Sequence, residues 1–366
     1  MRIPLLQMPT IQFVLGKITE HSDEDAGPNA IITLLLSQFK WLDFVSDCTS
    51  LVTGLLETLS ICSRSVQIEI VNLLPELVYD SLQEMTVREL IAFLQTDSSL
   101  CSVIFSTLEN LRLSEKQFSD NLSIFMNACT STPLSDLPSV IRFLLRVCPI
   151  PATLKQNSEI ITILTVIRKS CDPLKWANCS SIGSSLFEEF FSSIQQRPVL
   201  SKCYVKLISG IPVEEVLPID VWFMAILLKE GLQTFQIERF LSRRMYKLSA
   251  GTALFETAVK GNGTALLPIF KNLIQIGEIL AKSSSPRAQE LAQSLFVACW
   301  HEFKHPFYQQ ELISSFITQI GASTVSYAFS ADSATSPAGH EVTTALSTLQ
   351  ALAADPANRE DLAKFT

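Results

Sequence analysis

Charged side chains are scarce in this chain, making up 17% of its 366 residues, and it holds only four histidines, 12 glycines and 17 prolines. So few glycines and prolines exclude the frequent turns of a β sandwich and the Gly-rich loops of a nucleotide-binding α/β fold. No Gly-x-Ser-x-Gly elbow occurs, and four histidines leave little material for Ser/His or Cys/His catalysis. The nine cysteines, at 48, 62, 101, 129, 148, 171, 179, 203 and 299, form no Cys-x-x-Cys pair, so they indicate neither a disulfide framework nor a zinc ribbon. They read as small buried apolar residues of a reducing compartment. No run is both long and apolar enough to cross a bilayer: the best, Leu312 to Ala331, is diluted by Ser, Thr, Gln and Gly. Pro4, Gln7, Pro9 and Gln12 break the apolar stretch at the N-terminus and leave no continuous core for a secretory signal, so the sequons at Asn121, Asn178 and Asn262 carry little meaning.

What the chain does have is apolar surface. With 47% hydrophobic residues and 22 phenylalanines it can bury enough to offset its ordering entropy, which excludes disorder. The balance of 28 basic against 36 acidic residues, a net charge of −8, argues against a segment held to nucleic acid by counterion release. Helical periodicity is frequent and strand alternation is not. Leu266, Ile269, Phe270, Leu273, Ile276 and Leu280 fall at i, i+3, i+4, i+7, i+10 and i+14, one stripe of a helix. Ile104, Leu108 and Leu111 repeat the pattern, as do Leu291, Leu295 and Cys299. Ile31 to Leu42 and Val221 to Leu228 are apolar nearly all round, which predicts helices buried between neighbours.

Four Leu-Pro steps, Leu74-Pro75, Leu137-Pro138, Leu217-Pro218 and Leu267-Pro268, each precede or enter an apolar run, where proline suits the first helical turn. Their spacings of 63, 80 and 50 residues set no fixed period. The expected fold is therefore all-α, an irregular HEAT-like or armadillo-like solenoid of antiparallel helix pairs. Its expected parts are a first solenoid over 1–170, a Gly/Ser-bearing loop over 171–185, and a continuing solenoid over 186–366. Shorter breaks are expected at Ser22 to Asn29, Ser283 to Pro286 and Ala331 to Gly339.

His301, Glu302 and His305 complete a literal His-Glu-x-x-His. On one helix, histidines at i and i+4 share a face that can bind zinc, with the glutamate placed as general base of a hydrolase. Pro306 disfavours helical geometry at His305. On a helical wheel from Leu291 the histidines fall near about 280° and 320°, away from the apolar stripe. Glu311 stands where a third histidine would be needed. The metal reading is set aside, and no catalytic residue, metal or cofactor is expected. Lys260-Gly261-Asn262-Gly263-Thr264 lacks a complete phosphate-binding loop and reads as an inter-helix turn. Arg239, Arg243, Arg244 and Lys247 gather four positive charges on one helix flank, a possible contact face for phosphate or an acidic partner.

Several segments reach beyond fold class. Gln38-Phe39-Lys40-Trp41-Leu42-Asp43 is followed by Leu73-Leu74-Pro75-Glu76-Leu77-Val78-Tyr79-Asp80-Ser81, then Leu111-Arg112-Leu113, then Asp136-Leu137-Pro138-Ser139-Val140-Ile141-Arg142-Phe143-Leu144. In order and spacing these resemble the N-terminal solenoid of the Fanconi anaemia group D2 family. Ala292 to Ala322, with Phe307-Tyr308-Gln309-Gln310-Glu311-Leu312, resembles a later stretch of it. The resemblance runs from about Ile31 to the end and is weakest at Pro149 to Ser185 and Ser323 to Gly339. The family pattern lacks the two histidines around Trp300 to Pro306.

The resemblance implies a non-enzymatic nuclear scaffold for repair of DNA interstrand crosslinks. It implies pairing with the Fanconi anaemia group I paralogue and monoubiquitination by the Fanconi core-complex ligase and its conjugating enzyme. It further implies closure of the modified pair on double-stranded DNA, with no membrane partner. Aligned on Asp355-Pro356, the family's acceptor lysine would come just after Thr366, so the chain is expected to stop short of it. Lys364 would stand two residues early, its side chain rotated by about 200°. A zinc hydrolase and an unrelated helical-repeat adaptor are the competing readings.

Overall fold

The computed structural model describes residues 4–22, 30–42, 44–111, 113–150, 158–177, 179–247, 252–327 and 337–365. Proline sets many helix starts: Pro218, Pro286, Pro306, Pro337 and Pro356 each stand first in their helix. There the missing N–H has no partner to lose and the fixed φ suits the first turn. Side-chain caps start others. Asp47 accepts from the Ser50 amide at 3.0 Å, and Ser114 and Gln117 form a reciprocal capping box.

Every regular element among the described residues is helical, and the chain divides into two compact units, Met1–Pro149 and Ile150–Thr366. The first holds α1 (Pro4–Glu20), α2 (Ile31–Phe39), α3 (Cys48–Leu59), α4 (Arg64–Leu77), α5 (Gln83–Thr96), α6 (Cys101–Asn110), α7 (Glu115–Asp120), α8 (Leu122–Ser131) and α9 (Leu137–Val147). The second holds α10 (Glu159–Ser170), α11 (Ser180–Gln196), α12 (Val199–Gly210), α13 (Pro218–Lys229), α14 (Thr234–Arg243), α15 (Thr252–Val259), α16 (Gly263–Leu266), α17 (Phe270–Ala281), α18 (Pro286–Glu302), α19 (Pro306–Tyr327), α20 (Pro337–Ala354) and α21 (Pro356–Leu362). Within each unit, many helices pack on the helix two places further along, α1 on α3, α2 on α4, α4 on α6, then α10 on α12, α11 on α13, α12 on α14, α13 on α15 and α18 on α20, while α6 packs on α9 and α15 on α18. This alternation into two layers is the signature of an all-α solenoid.

The cores follow from the periodicity. Phe105, Phe118, Phe125 and Phe143 interlock in the first unit, with ring centroids 4.8 to 6.1 Å apart. In the second, Phe223 sits 4.6 Å from Phe190 and 4.8 Å from Tyr204. Tyr204 closes a buried polar cluster. Arg168 on α10 grips Asp220 on α13 through Nε and Nη2, with the Nε bond at 2.5 Å, and Nη2 also donates to the Glu215 carbonyl at 3.1 Å. The Tyr204 hydroxyl and the Leu217 amide donate to the same carboxylate at 2.9 and 2.8 Å. Desolvation opposes the Arg168 charge, yet Asp220 holds its pKa above the ordinary value. Burial first, and then the Asp220 charge, push the Tyr204 hydroxyl well above the usual range.

Several expectations need correction. Leu74-Pro75 lies in the last turn of α4, not the first of a helix; the chain leaves the helix two residues later, so the proline acts as a stop. The expected loop at 171–185 holds a short 3-10 turn, Pro173–Trp176, and the first turns of α11, and the division of the chain falls at Pro149 instead. The stripe from Leu266 to Leu280 is fully buried but broken by a 3-10 turn at Leu267–Ile269, where Pro268 interrupts the helical bonding. Val221 to Leu228 is buried all round, as expected. The Ile31 to Leu42 segment is not: Ile31, Leu34 and Trp41 are 50%, 53% and 81% exposed, because α2 is covered on one side only. Gly263–Ala281 is long and apolar enough to cross a membrane by composition, yet its stripe packs on α13, α14 and α18. The breaks expected at 23–29 and 331–336, and the sequon at Asn178, lie outside the described residues.

Eight cysteines are buried and Cys179 alone is exposed. Burial raises the thiol pKa of Cys101, Cys203 and, most strongly, Cys299. Brief maleimide labelling of the native protein followed by peptide mass mapping is expected to modify Cys179 first and leave Cys101, Cys203 and Cys299 untouched. Equal labelling of Cys299 would contradict this packing.

Candidate functional site

Two sequence features, the His-Glu-x-x-His and the glycine-bearing turn, meet in space. α15 ends at Val259 and α16 begins at Gly263, so Lys260 to Asn262 form the turn between them. Glu302, the last residue of α18, reaches across it: Oε2 accepts from the Gly261 amide at 2.8 Å and Oε1 from the Gly263 amide at 3.0 Å. Gly261 has φ +70°, a left-handed conformation, and a Cβ there would strike the Ala177 carbonyl. A Cβ on Gly263 would lie 2.9 Å from Oε1 of Glu302, so this glycine admits the carboxylate. Asn262 completes the joint, donating from Nδ2 to the carbonyls of Pro173 and Lys260 at 3.2 and 3.0 Å.

The histidines are not brought together as a ligand pair on one helix. His301 lies in the last turn of α18, which stops at Glu302, and His305 stands in the connection before α19, with Nδ1 accepting from the Phe307 amide at 3.2 Å. The break comes where Pro306 begins a new helix. Among the described residues, no group of three or more His, Cys, Asp and Glu is placed to hold a metal. His301 instead rims an open groove of about 740 Å³ between α15 and α18, lined also by Glu256, Lys260, Glu290, Gln293 and Val297.

The basic flank is smaller than its four residues suggest. Arg244 turns inward and caps the C-terminus of α12, donating to the carbonyls of Ser209 at 2.5 Å and Ile211 at 2.8 Å, with its guanidinium 5.5 Å from the Phe240 ring centre. The step of one residue from Arg243 to Arg244 rotates the side chain by about 100° and moves it from solvent to the helix interface. Lys247 is exposed in a 3-10 turn beyond the helix. Arg239 and Arg243 remain exposed on α14. Spacing found this pair, but nothing in the spacing marked Arg244 as a cap, because its acceptors lie more than thirty residues upstream.

Lys364 follows α21 and pairs with Asp361 at 2.6 Å, a contact that raises its pKa.

The family model described as "Fanconi anaemia protein FancD2 nuclease" matches residues 1–354. The chain is 24% identical over 341 residues to the Fanconi anemia group D2 protein homolog of Rattus norvegicus, and 23% identical over 345 residues to that of Mus musculus. It is 22% identical over 349 residues to the Fanconi anemia group D2 protein of Gallus gallus. These alignments cover 87%, 88% and 87% of this chain but 23%, 24% and 24% of the relatives, so the chain spans about a quarter of their length.

If Glu302 is a clamp, Glu302→Gln places an amide donor against a backbone N–H and is expected to cost about 1–3 kcal/mol in urea unfolding. Gly261→Ala is expected to destabilise as well, and added zinc to leave the melting temperature of the native chain unchanged. A native-like Glu302→Gln variant, or a stoichiometric stabilisation by zinc, would contradict the clamp.

Proposed function

Because the chain belongs to the Fanconi anaemia group D2 family, we propose that it acts as a non-enzymatic nuclear scaffold in the repair of DNA interstrand crosslinks. In this reading it pairs with the Fanconi anaemia group I paralogue, the Fanconi core-complex ligase and its conjugating enzyme monoubiquitinate the assembly, and the modified pair closes on double-stranded DNA. The observation that carries the proposal is the family match over residues 1–354. The two-layer stacking of helices supports it, since such arrays supply long continuous surfaces to large partners and need no catalytic pocket.

The family's description includes the word nuclease. In this reading the chain carries no cleavage step, and Glu302 serves to hold the turn after α15 through the Gly261 and Gly263 amides. Lys364 is not the ubiquitin acceptor in this reading, because it stands two residues ahead of the place where the family's acceptor would fall.

Two measurements test the proposal. Tagged chain in cell nuclei is expected to co-precipitate the group I paralogue, more strongly after a crosslinking agent; absence of the paralogue under both conditions would sink the scaffold reading. In a reaction with the core-complex ligase and its conjugating enzyme, Lys364 is expected to carry no ubiquitin, and a diglycine remnant on it by mass spectrometry would overturn that assignment.

A further inference from the structure

Every other described arginine has a partner within the chain, from Arg142 and Arg146 on Glu109 to Arg359 on the Ala353 carbonyl. Arg239 and Arg243 are the exceptions: both are exposed, and neither has an ion pair or hydrogen bond among the described residues. One turn before Arg239 on the same flank stands Phe235, 70% exposed on a helix whose Ile237, Phe240 and Leu241 are buried. An uncovered aromatic in line with two unengaged guanidiniums has the composition of an interface centre, where phenylalanine and arginine are enriched over the rest of a protein surface.

We infer that Phe235, Arg239 and Arg243 form a docking strip for an extended acidic peptide. Residues four apart on a helix are about 6 Å apart along its axis. Alternate side chains of an extended strand lie about 6.6 Å apart on one face. A peptide running along α14 therefore presents one apolar residue to Phe235 and two carboxylates, two and four positions away, to Arg239 and Arg243. Each arginine can hold a carboxylate with two parallel N–H bonds. The net charge of the whole chain favours a short peptide over nucleic acid. The chain carries a net −8, which repels a long polyanion at a distance but weakly opposes a segment bearing two charges. This inference rests on the geometry of α14 and not on the repair role.

The test is fluorescence anisotropy of labelled probe peptides against the whole chain. The probes carry one leucine and two glutamates at alternate positions in a serine background, made in both chain directions, with glutamine counterparts. Saturable binding of at least one direction is expected, weakening with salt and lost for the glutamine peptides. The double substitution Arg239→Gln and Arg243→Gln should weaken it about tenfold or more. Phe235→Ser should also weaken it, while Lys116→Gln leaves it unchanged. All positions are on the surface, and unaltered melting curves establish that the variants fold. No saturable binding, or binding indifferent to the arginine substitutions, overturns the proposal. So does binding of a labelled oligothymidine that requires the two arginines while the peptides do not bind, which assigns the strip to nucleic acid.

Discussion

A solvent-free ion pair between Arg168 on α10 and Asp220 on α13 ties together the polar interior of the second helical unit. Two charges cannot leave water cheaply, and their attraction offsets the loss only when the geometry is good and the remaining hydrogen-bonding positions are filled. Both conditions are met. Arg168 meets both carboxylate oxygens, Tyr204 and the Leu217 amide take up remaining acceptor positions, and the Glu215 carbonyl takes a spare guanidinium N–H. The cluster fixes α10, α12 and the start of α13 in one arrangement. Apolar stripes alone would permit helices to slide by a turn, whereas a bidentate contact has one register.

The same economy recurs wherever a polar side chain could have supplied chemistry. Glu302 holds the turn after α15, Asn262 holds the 3-10 turn at Pro173–Trp176, and Arg244 closes the end of α12. Each satisfies backbone groups that helix ends leave without partners. A chain built of many short helices has many such ends, and its few charged residues are drawn to them. What is left for partners is surface, and on α14 the unengaged cations stand in line with an uncovered phenylalanine.

Much of the fold was legible because solenoid helices are specified locally. The period of Leu291, Leu295 and Cys299, and the prolines at Pro218 and Pro286, define helices without reference to the rest of the chain. The exposure of Ile31 and Leu34 was not legible, since it depends on whether a neighbour covers the outer face of α2. The site was legible only in part. Pro306 marked the break that separates His301 from His305, but the partner of Glu302 lies some forty residues upstream, and no spacing rule joins them. Nothing in the spacing singles out Arg168, because Asp220 meets it only after the helices between them have stacked.

The measurement that most directly tests this account of buried polar ties is a double-mutant cycle on Arg168 and Asp220 in urea unfolding. Arg168→Met and Asp220→Asn should each cost about 3–5 kcal/mol, because each leaves a buried charge without its partner. The double variant should cost far less than their sum. Additive losses would mean that the two side chains act independently and that packing alone sets the register of α10 against α13.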